Sequence, residues 1–508
     1  MPYILAHDLG TSGNKATLYA ADGTACGSFL ASYDSHFFNG CWAEQEPEDW
    51  WKAVCDSTRQ LLARAAVKPS EIAVVALSGQ MMGCTPVDAE GRVLRPSMLY
   101  CDQRATAEAD RILSRISQAD FYRIVGHRVS ASYSLEKLMW LREHEPEVFA
   151  KTAKTLCAKD YINFRLTGRM ATDYSDASGT NAFDINTFKW SEEVLACAEI
   201  PESLFPEALP STAILGGVTA EAAAATGLLA GTPVAAGGGD GSAAGVGVGC
   251  VRPGSAYNCM GSSSWIGLTV TKPVVDAEMR TMNWAHCVPG YLHPSGTMQT
   301  AGSSFKWLAE QLCAEEAAEA ERSGVSKYAL IDAKAEAVPV GANGVIFLPY
   351  MLGERTPWWN PDARGAFIGL NLATKRADML RAVLEGVAMN LGYIVDIFRK
   401  HVSFDDGLRI IGGGAQSRVL RQILADACGC PVHTLQSTAE ATSMGAAIVG
   451  GVACGIFPDF NVVDDLLKTA ETMRPVSERV AFYRDRQAVI VKAYQGLVEV
   501  YGELAKGK

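Results

Sequence analysis

The order of elements in this chain repeats once, at an interval of about 240 residues. Two apolar strands joined by a Gly/Ser/Thr turn begin near residue 3 and again near residue 255. Later in each half, an apolar strand ends in three glycines and a helical pattern follows, at residues 237–239 and 412–414. This interval is too long for a solenoid, and it predicts two related domains that face each other, residues 1–247 and 248–508.

Composition limits the class of protein. A chain of 508 residues is too long for one hydrophobic core, and 48% hydrophobic with 20% charged residues is typical of a soluble globular enzyme. The formal net charge of −11 argues against nucleic-acid partners and against an anionic membrane surface, because both need clustered Lys and Arg. We therefore expect neither nucleic acid nor membrane as a partner.

The cysteines and the first residues predict a cytoplasmic protein. Fourteen cysteines are scattered singly apart from Cys428 and Cys430, and no zinc-ligand spacing occurs. Reduced, mostly buried thiols are the expected state. The first residues contain no basic stretch and reach an acid at Asp8, unlike a signal peptide, and no run of about 18 uncharged apolar residues occurs.

One carboxylate stands between the first glycine triplet and its helix. The apolar run 233–236 predicts the end of a buried strand, and the small residues from Ser242 onward favour a helix start. Asp240, flanked by glycines without side-chain bulk, is placed to meet a ligand closely and to take a proton. A tight strand-to-helix turn capped by an aspartate explains the same residues.

The first strand turn has the chemistry of a phosphate site. Its backbone N–H groups and hydroxyls suit an anion, Lys15 adds a positive charge, and Asp8 is an oxygen ligand of the kind that Mg²⁺ prefers. An ordinary β-hairpin with a polar turn is the alternative. The turn residues are Gly10, Thr11 and Ser12, and the corresponding turn of the second half contains Gly261 and Ser262.

Two loops at predicted strand ends are candidates for the pocket, since ligands of α/β sheets bind there. The strand 72–77 leads into Gln80, Met81 and Met82, although methionines are more often core residues than ligand contacts. The polar segment 171–190 is predicted to be a loop that either lines the pocket or crosses the surface. The second loop contains Cys101, Asp102 and Arg104.

Several longer motifs occur in one order along nearly the whole chain. They are residues 42–47, 132–144, 348–357, 365–370 with 378–385, and 412–415. Together they resemble the FGGY-type carbohydrate kinases, a branch of the actin/hexokinase superfamily, with xylulokinases as the nearest members. The resemblance implies an α/β, two-domain actin/hexokinase-like (ribonuclease H-like) fold, with a cleft between an N-terminal sugar-binding and a C-terminal nucleotide-binding domain. A homodimer is a further expectation of the family.

The resemblance also implies residue roles, with ATP and Mg²⁺ as the cofactors. Asp240 corresponds to the general base on the acceptor hydroxyl, and Asp8 to the acid that organises the metal together with Asp240. The predicted substrate-binding residues are Gln80, Met81, Met82, Cys101, Asp102, Arg104 and Asp240. The predicted ATP-binding residues are Gly10, Thr11, Ser12, Lys15, Gly261, Ser262, Gly413 and Gly414.

Three positions depart from the xylulokinase pattern. Met82 stands where His is usual, Cys101 where Asn is usual, and Gly241 where Asn or Gln is common. Each change removes a hydrogen-bonding group that would face the sugar. The reaction class is unaffected, but the acceptor is left open between D-xylulose, a related ketopentose, a deoxy sugar and a small polyol.

The predicted function is ATP-dependent phosphorylation of a small sugar or sugar alcohol. A dinucleotide-dependent oxidoreductase fits poorly, because no strand is followed by a full G-x-G-x-x-G with an acid about 20 residues later. A P-loop ATPase is disfavoured by the lack of a Walker A motif. The remaining alternative is a catalytically silent actin-fold sensor that binds sugar without phosphorylating it, against which the retention of Asp8 and Asp240 argues.

Overall fold

The computed structural model describes residues 2–404, 406–436 and 441–506. Over these ranges it shows two seven-stranded mixed sheets with helices packed against them, one sheet in each half of the chain. None of the helices in these ranges has both the length and the apolar character that crossing a bilayer requires.

The first half contributes sixteen strands to the described residues. They are β1 (Tyr3–Leu9), β2 (Gly13–Ala20), β3 (Ala25–Ser32), β4 (His36–Phe38), β5 (Trp42–Gln45), β6 (Ile72–Gly79), β7 (Thr85–Val87), β8 (Ser97–Met98), β9 (Lys154–Leu156), β10 (Ala171–Asp173), β11 (Phe183–Asp184), β12 (Lys189–Trp190), β13 (Glu207–Leu209), β14 (Ile214–Gly217), β15 (Pro233–Ala235) and β16 (Gly238–Gly239).

Its helices are α1 (Pro47–Ala65), α2 (Thr106–Leu113), α3 (Gln118–Val125), α4 (Ser134–His144), α5 (Pro146–Lys151), α6 (Ala158–Thr167), α7 (Tyr174–Ser178), α8 (Glu192–Ala198), α9 (Ala220–Thr226) and α10 (Asp240–Gly247). Two short 3₁₀ segments occur at Pro69–Glu71 and Glu202–Leu204.

The second half begins with a strand pair and ends with the longest helix of the described chain. Its strands are β17 (Ala256–Met260), β18 (Ser264–Leu268), β19 (Met282–Ala285), β20 (Leu292–Met298), β21 (Ile346–Leu348), β22 (Ala366–Ile368), β23 (Leu408–Ile411), β24 (Val432–Leu435) and β25 (Thr469–Met473). Its helices are α11 (Gly302–Gln311), α12 (Ala314–Ser323), α13 (Lys327–Glu336), α14 (Arg376–Arg399), α15 (Arg418–Cys428), α16 (Ala441–Ala453), α17 (Val463–Leu466) and α18 (Ser477–Lys506), with 3₁₀ segments at Ala342–Gly344, Gly413–Gln416 and Phe460–Val462.

The two large sheets have the same arrangement, which confirms the predicted duplication. In the first sheet the order is β14-β15-β6-β1-β2-β3, with β16 also paired to β6, and in the second it is β19-β20-β18-β17-β23-β24-β25. The first strand of each half pairs antiparallel with the next strand and parallel with a later one, β6 or β23. Each sheet therefore carries its polar strand turn at the same edge.

The glycine triplets, in contrast, do not follow equivalent strands, and that part of the sequence comparison was wrong. Strand β23, which ends before residues 412–414, lies directly beside β17, so its counterpart in the first sheet is β6. Strand β15, which ends before residues 237–239, lies one position further out and corresponds to β24. The likeness of the triplets is local, because glycines serve any turn in which the backbone must pass close to other atoms.

Alternating side chains place the central strands between two layers of helices. Leu5 and Val75 pack in a cluster with α1, whereas Ile4 and Val74 pack in a cluster with α16. All four side chains are fully buried. Strands that are covered on both faces are continuously apolar, which is the pattern found in β1 and β6.

Helices α10 and α16 cross between the two halves. A Cβ atom on Gly247 would lie 1.7 Å from the carbonyl oxygen of Ala441, and one on Gly445 would lie 1.8 Å from that of Ala243. Only glycine allows the two backbones to approach this closely. Because α16 comes from the second half and packs on the first sheet, this crossing joins the halves and fixes the N-terminal end of α10, where Asp240 lies.

The polar segment 171–190 is not a loop. It forms β10, α7 and the hairpin β11–β12, and Asp173, Ser175 and Asp176 are fully buried. The burial of acids is rare unless they are paired. Here Lys159 of α6 provides the partner, with its Nζ 3.2 Å from carboxylate oxygens of both Asp173 and Asp176.

Candidate active site

The backbone before Asp240 turns through a glycine that no other residue could replace without strain. Gly237 has φ of +73°, and a Cβ there would lie 2.0 Å from the carbonyl oxygen of Leu77 in β6. The chain then pairs briefly with β6 at Gly238–Gly239 and enters α10 with Asp240 as its first residue. The predicted strand, glycine turn and helix are all present, and they bring Asp240 to the end of the first sheet.

Hydrogen bonds from both halves hold this turn. The N–H of Gly239 donates to Ser175 Oγ at 2.8 Å, and Ser175 Oγ itself donates to Asp173 at 2.5 Å. On the other side, Tyr257 Oη of β17 donates to the carbonyl of Gly241 at 2.8 Å. The position of Asp240 therefore depends on the buried acidic cluster below it and on the second sheet beside it.

The environment of Asp240 favours a proton on its carboxyl group. The side chain is open to the cleft, but the surrounding protein removes most of its hydration, and the nearby Asp8 carboxylate adds repulsion; together they raise its pKa to about 7. The Gly241 N–H, which donates to Asp240 Oδ1 at 2.7 Å, acts in the opposite direction and lowers the pKa. A carboxylate with a pKa near neutrality suits general base catalysis.

Asp8 and Asp240 provide a donor set that fits Mg²⁺. Asp8 lies in β1, accepts a hydrogen bond from Ser78 Oγ at 3.1 Å and lies close enough to influence the pKa of Asp240. Mg²⁺ is bound by one or two carboxylates together with substrate phosphates and water. Two neighbouring carboxylates also repel each other, and a divalent cation would relieve that repulsion.

Hydrogen bonds to backbone carbonyl groups hold the β1–β2 turn and the β17–β18 turn in place. Gln45 Nε2 and Tyr33 Oη donate to the carbonyls of Thr11 and Gly10, each at 2.6 Å. In the second half, the carbonyl of Ser262 accepts the N–H of Ala301 at 3.0 Å, just before α11 begins. Rigid turns of this kind are suited to hold phosphates through backbone N–H groups.

The remaining predicted nucleotide residues lie near these turns. Lys15 is in β2, opposite Asp8 in the strand register, so its position is within the strand and not in the turn. Gly261 and Ser262 form the β17–β18 turn. Gly413 and Gly414 open the short 3₁₀ segment after β23, where Gly414 packs against Met260.

A cavity of about 400 Å³ connects these elements. Its lining includes, from the first half, Thr11, Gln80, Met81, Met82 and Asp240, and, from the second half, Ser263, Trp284 and Trp359. The structure thus brings together Asp240, one residue of the first turn and three of the predicted substrate residues. A cleft between two domains is a usual place for a small-molecule site.

Lys137 holds three loops of this cavity together, a role that the sequence analysis missed. Its fully buried Nζ donates to the carbonyls of Met82, Leu99 and Ser132 at 2.9, 2.6 and 2.6 Å. Met82 has φ of +64°, a conformation that side chains other than glycine adopt at a cost. Lys137 is therefore a positioning residue that holds Met82 and the neighbouring loops in place.

We expect Lys137→Met to raise the KM for the acceptor by about tenfold or more, because carbonyls left without a donor cost about 1–3 kcal/mol each. The KM for ATP should change little, since the nucleotide turns are held by other contacts. Steady-state kinetics with each substrate varied in turn measures both values. The exposed Lys151→Met on α5 is the control, and equal changes in the two KM values would contradict this role.

Two of the predicted substrate residues, Asp102 and Arg104, bind protein groups in this structure. Asp102 is fully buried, and its oxygens accept bonds from the Ala43 N–H at 2.7 Å and from the Arg104 guanidinium at 2.7–3.0 Å. Arg104 also pairs with Glu44 at 2.7 Å and stacks 3.9 Å over the Trp42 ring. The Asp102 carboxylate and the Arg104 guanidinium therefore stabilise this loop, and neither residue lines the cavity.

Cys101 does not line the cavity either, although the preceding residue, Tyr100, does. The Cys101 side chain is half-buried and packs against the core cluster of the first sheet. Of the two departures from the xylulokinase pattern on these loops, only Met82 therefore faces the cavity. The acceptor site is correspondingly more apolar at that point than a histidine would make it.

Other cavity residues were not predicted as site residues. Arg128, Tyr133, Trp284, Arg355 and Trp359 all line it. Tyr133 and Arg355 belong to motifs recognised in the sequence, so their motif membership was an available signal. Arg128 and Trp284 gave no local signal, because an arginine before a loop and a tryptophan in a strand are ordinary surface and core residues.

Comparison with known proteins agrees with this geometry. The family model for the N-terminal domain of the FGGY family of carbohydrate kinases matches residues 3–247, and that for the C-terminal domain matches residues 256–454. The resemblance inferred from the motifs is thereby confirmed, together with the two-domain α/β fold.

Individual relatives extend over nearly the whole chain. The xylulose kinase of Bacillus subtilis (strain 168) is 31% identical over 501 residues, covering 99% of this chain and 96% of the relative. A gluconokinase of Bacillus licheniformis is 29% identical over 511 residues, covering 99% and 98%. The crystal structure of xylulose kinase from Rhodospirillum rubrum has a TM-score of 0.91 and 31% identity, covering 98% of this chain and 100% of that one. This chain therefore belongs to the FGGY family of carbohydrate kinases, and it is a xylulokinase-like sugar kinase.

Proposed function

We propose that the chain transfers the γ-phosphoryl group of ATP to a hydroxyl of a small sugar or polyol, with Asp240 as the general base. The observation that carries this assignment is the placement of Asp240, which lies in the interdomain cavity beside Asp8 and has a pKa near 7. Phosphoryl transfer asks the protein chiefly for alignment and charge neutralisation, with little covalent chemistry.

In this mechanism Asp240 accepts the proton of the acceptor hydroxyl as the oxygen attacks the γ-phosphorus. The backbone on either side of Asp240 is held by the hydrogen bonds at Gly239 and Gly241, and its carboxylate accepts the Gly241 N–H through Oδ1. Gln80 contributes from the neighbouring loop, because its Oε1 is buried in the cavity wall with no hydrogen-bond partner among the described residues. An acceptor hydroxyl that donates to this oxygen would satisfy it.

The nucleotide site is proposed to consist of the two strand turns and the glycines after β23. Its residues are Gly10, Thr11, Ser12, Lys15, Gly261, Ser262, Gly413 and Gly414. Asp8 and Asp240 would hold Mg²⁺, which when bound supplies positive charge against the phosphates. Because hydrogen bonds fix the positions of both turns, they would align the phosphates with the acceptor hydroxyl.

The two large sheets, one in each half, support a division of the chain into two domains. We assign residues 1–247 to sugar binding and 248–508 to nucleotide binding, with closure of the cleft excluding water during transfer. Helix α16 belongs to the second half but packs on the first sheet, so the two proposed domains share contacts there. A cytoplasmic location and a homodimer complete the proposal as family-level expectations.

The acceptor is a small hydroxyl-rich compound, and D-xylulose, a related ketopentose or a polyol fits that description. The names of the relatives include both xylulose kinases and gluconokinases. Neither the cavity nor the relatives supports the alternative of a silent sugar sensor. The test is ADP release with and without a panel of ketoses, polyols and sugar acids: acceptor-dependent release is expected, and its absence with every acceptor would contradict the function.

The pKa of Asp240 predicts how activity depends on pH. The base must be deprotonated, so kcat/KM for the acceptor should fall by about tenfold per pH unit below the pKa of Asp240 and level off above it. Because bound Mg²⁺ relieves the repulsion from Asp8, the inflection should lie below the value of about 7 that applies without metal. A pH profile measured between about 5.5 and 9 checks this expectation. Residual activity of Asp240→Asn should lack that inflection, and a variant that keeps it would assign the inflection to another group.

Asp8 is expected to act through the metal. In Asp8→Ala, transfer should slow and the Mg²⁺ concentration that gives half-maximal rate should rise severalfold, while acceptor binding stays nearly unchanged. Mg²⁺ titrations of the rate, together with calorimetric binding of the acceptor, measure the two effects. Asp110→Ala, an exposed acid on α2, is the control. A Mg²⁺ curve superimposable on that of the wild type would count against the metal role.

A further inference from the structure

Helix α18 is the last helix of the described chain, and one of its faces is packed against the second half. The buried residues of this face recur at helical spacing and are Tyr483, Ile490, Tyr494 and Tyr501. Tyr494 anchors the face, because its ring centre lies 4.0 Å from that of Trp358 and its Oη accepts a hydrogen bond from Asn360 Nδ2 at 3.0 Å. The opposite face of α18 is exposed to solvent.

An apolar stripe runs along the exposed side of α18. Val489, Val500 and Leu504 are 44%, 46% and 57% exposed, and Gly496 lies between them in the helix. At 3.6 residues per turn, these four positions fall within about one quarter of the helix circumference. We call these four residues the α18 stripe. Exposed apolar residues that are contiguous in this way mark an interaction surface more often than single exposed residues do.

A column of charges lies directly beside the stripe. Its four exposed residues occur at seven-residue intervals with alternating sign, and they are Asp485, Lys492, Glu499 and Lys506. The first three form no ion pair with any described residue. Lys506 pairs only with the exposed Glu503 of its own helix, at 2.8 Å. These charges therefore contribute little to the stability of a single chain.

Gly496 has no steric reason to be a glycine within one chain. It lies in the interior of α18, where glycine weakens a helix relative to alanine. A Cβ at this position would meet no atom of the described chain within 4 Å outside its own stretch of helix, whereas at Gly247 or Gly445 a Cβ would collide with the neighbouring helix. A helix of another molecule that crosses α18 at Gly496 would explain the residue, because glycine lets two backbones approach closely.

The charged column matches the column of a second α18 that runs antiparallel to the first. If the two helices cross between positions 495 and 496, Asp485 lies level with Lys506 of the second copy. Lys492 then lies level with Glu499 of the second copy, and two-fold symmetry repeats both pairs. All four charges of each helix thus meet opposite charges. A parallel pairing, or an antiparallel pairing shifted by seven residues, would place like charges together.

The same crossing point also brings the two apolar stripes together. It lies beside Gly496, so the backbones come closest where a side chain is lacking. Val489 lies midway between the levels of Val500 and Leu504 of the second copy, which is the position of a side chain that packs between two others. The charge pattern and the glycine are separate observations, and both select one crossing point.

We propose that two copies of this chain associate through α18, antiparallel and crossing between Gln495 and Gly496, with the α18 stripe of each copy covering that of the other; this inference rests on the homodimer that is part of the function proposed above. A surface used twice by one two-fold axis must be complementary to itself, and the column has that property. A membrane is a poorer occupant, because helices that lie on membranes carry basic residues along their polar face, and this column alternates in sign.

Charge reversal tests the pairing. Sedimentation equilibrium of the full chain gives the Kd of the dimer, and we expect the wild type to be dimeric at micromolar concentrations. Lys492→Glu places like charges together twice in each dimer and should raise the Kd by about tenfold or more, as should Glu499→Lys. The double variant Lys492→Glu with Glu499→Lys restores opposite charges and should return the Kd to within about threefold of the wild type. The effects of the single variants should shrink in about 1 M NaCl, because exposed pairs are screened.

The stripe has a matched control on the same helix. Val500→Glu should raise the Kd, and Val498→Glu should leave it unchanged, because Val498 is similarly exposed but lies on the other side of α18. Gly496→Leu should also raise the Kd, since it separates the helices where they are closest. These positions are exposed, so the variants should keep the unfolding free energy of the wild type.

Three results would overturn the inference: a monomeric wild type, a Kd that the single charge reversals leave unchanged, or a double variant that is no tighter than the single ones. Acceptor-dependent ADP release is measured on the same samples, because none of the varied residues lines the interdomain cavity. A monomer that releases ADP would overturn this inference and leave the kinase function standing. A dimer that releases none with any acceptor would contradict the kinase function and leave the α18 interface standing.

Discussion

Asp240→Asn should lower kcat by about 10²- to 10⁴-fold, which is the usual contribution of a positioned general base. The substitution keeps the shape of the side chain and its hydrogen bond from the Gly241 N–H, but an amide cannot accept the acceptor's proton at neutral pH. ADP release at saturating substrates measures the change. Nucleotide binding, measured by calorimetry, should stay close to that of the wild type because the two strand turns are intact.

The control for this substitution is Asp22→Asn, an exposed acid in the turn after β2 that contacts only its own turn. Its kcat should match that of the wild type. A kcat for Asp240→Asn within about threefold of the wild type would exclude the general base role. A large loss accompanied by an equal loss of nucleotide binding would instead assign Asp240 to holding the metal and triphosphate.

The position of Asp240 could be predicted because its signal is local. An apolar strand, three glycines, an acid and a run of small residues occur within about 16 positions, and each part has one dominant structural consequence. Asp8 was predicted for the same reason. The duplicated sheets followed from the same local patterns repeated at a distance, although matching the two glycine triplets to each other gave the wrong strand correspondence.

The parts of the site that sequence reasoning missed depend on contacts distant in sequence. Lys137 acts on carbonyls of Met82 and Leu99, residues that lie far from it along the chain. Asp102 and Arg104 looked like sugar contacts because polar residues after a strand often face a ligand. Both are held by a segment far from them along the chain, because Asp102 accepts the Ala43 N–H and Arg104 pairs with Glu44.

The same limit applies to the segment 171–190. A run of Asp, Ser and Thr favours a solvated loop, because charged side chains are seldom buried. The structure buries it around Lys159, whose Nζ lies 2.6 Å from Asp160 and 3.2 Å from both Asp173 and Asp176. The compensating charge lies on another element, so composition of the segment itself could not reveal it.

This cluster leads to a prediction about stability. Burial alone would lower the pKa of Lys159, but the three carboxylates raise it well above its usual range, so the ammonium stays charged. Replacing it in Lys159→Met leaves the acids without a counter-charge in a site where all four side chains are at most 1% exposed. The expected cost is about 3–5 kcal/mol in the free energy of unfolding, which urea denaturation measures.

The matched control is Lys154→Met. Lys154 donates to the carbonyls of Ser203 and Phe205 at 2.7 and 2.8 Å and pairs with no carboxylate among the described residues, so its loss should cost much less. If charge is the cause, Lys159→Met with Asp176→Asn should recover part of the loss, because one uncompensated acid is removed.

The pH dependence separates charge from packing in Lys159→Met. Without the ammonium, the pKa values of the buried acids rise further in the folded protein than in the unfolded chain, so the folded variant binds more protons and gains stability as pH falls. In the wild type, burial already raises the pKa values of Asp160 and Asp176, and Lys159 lowers them in part. As these acids take up protons, less negative charge is left for Lys159 to compensate, so its replacement costs less. The loss of unfolding free energy in Lys159→Met, relative to the wild type, should therefore be largest above neutral pH and should shrink towards pH 5. A loss that does not change with pH would mean that the lysine contributes through its packed methylene groups. If charge is the cause, the loop before Asp240 is also affected, because Asp173 holds Ser175 and Ser175 accepts the Gly239 N–H. The kcat of Lys159→Met should then be lower than that of the wild type.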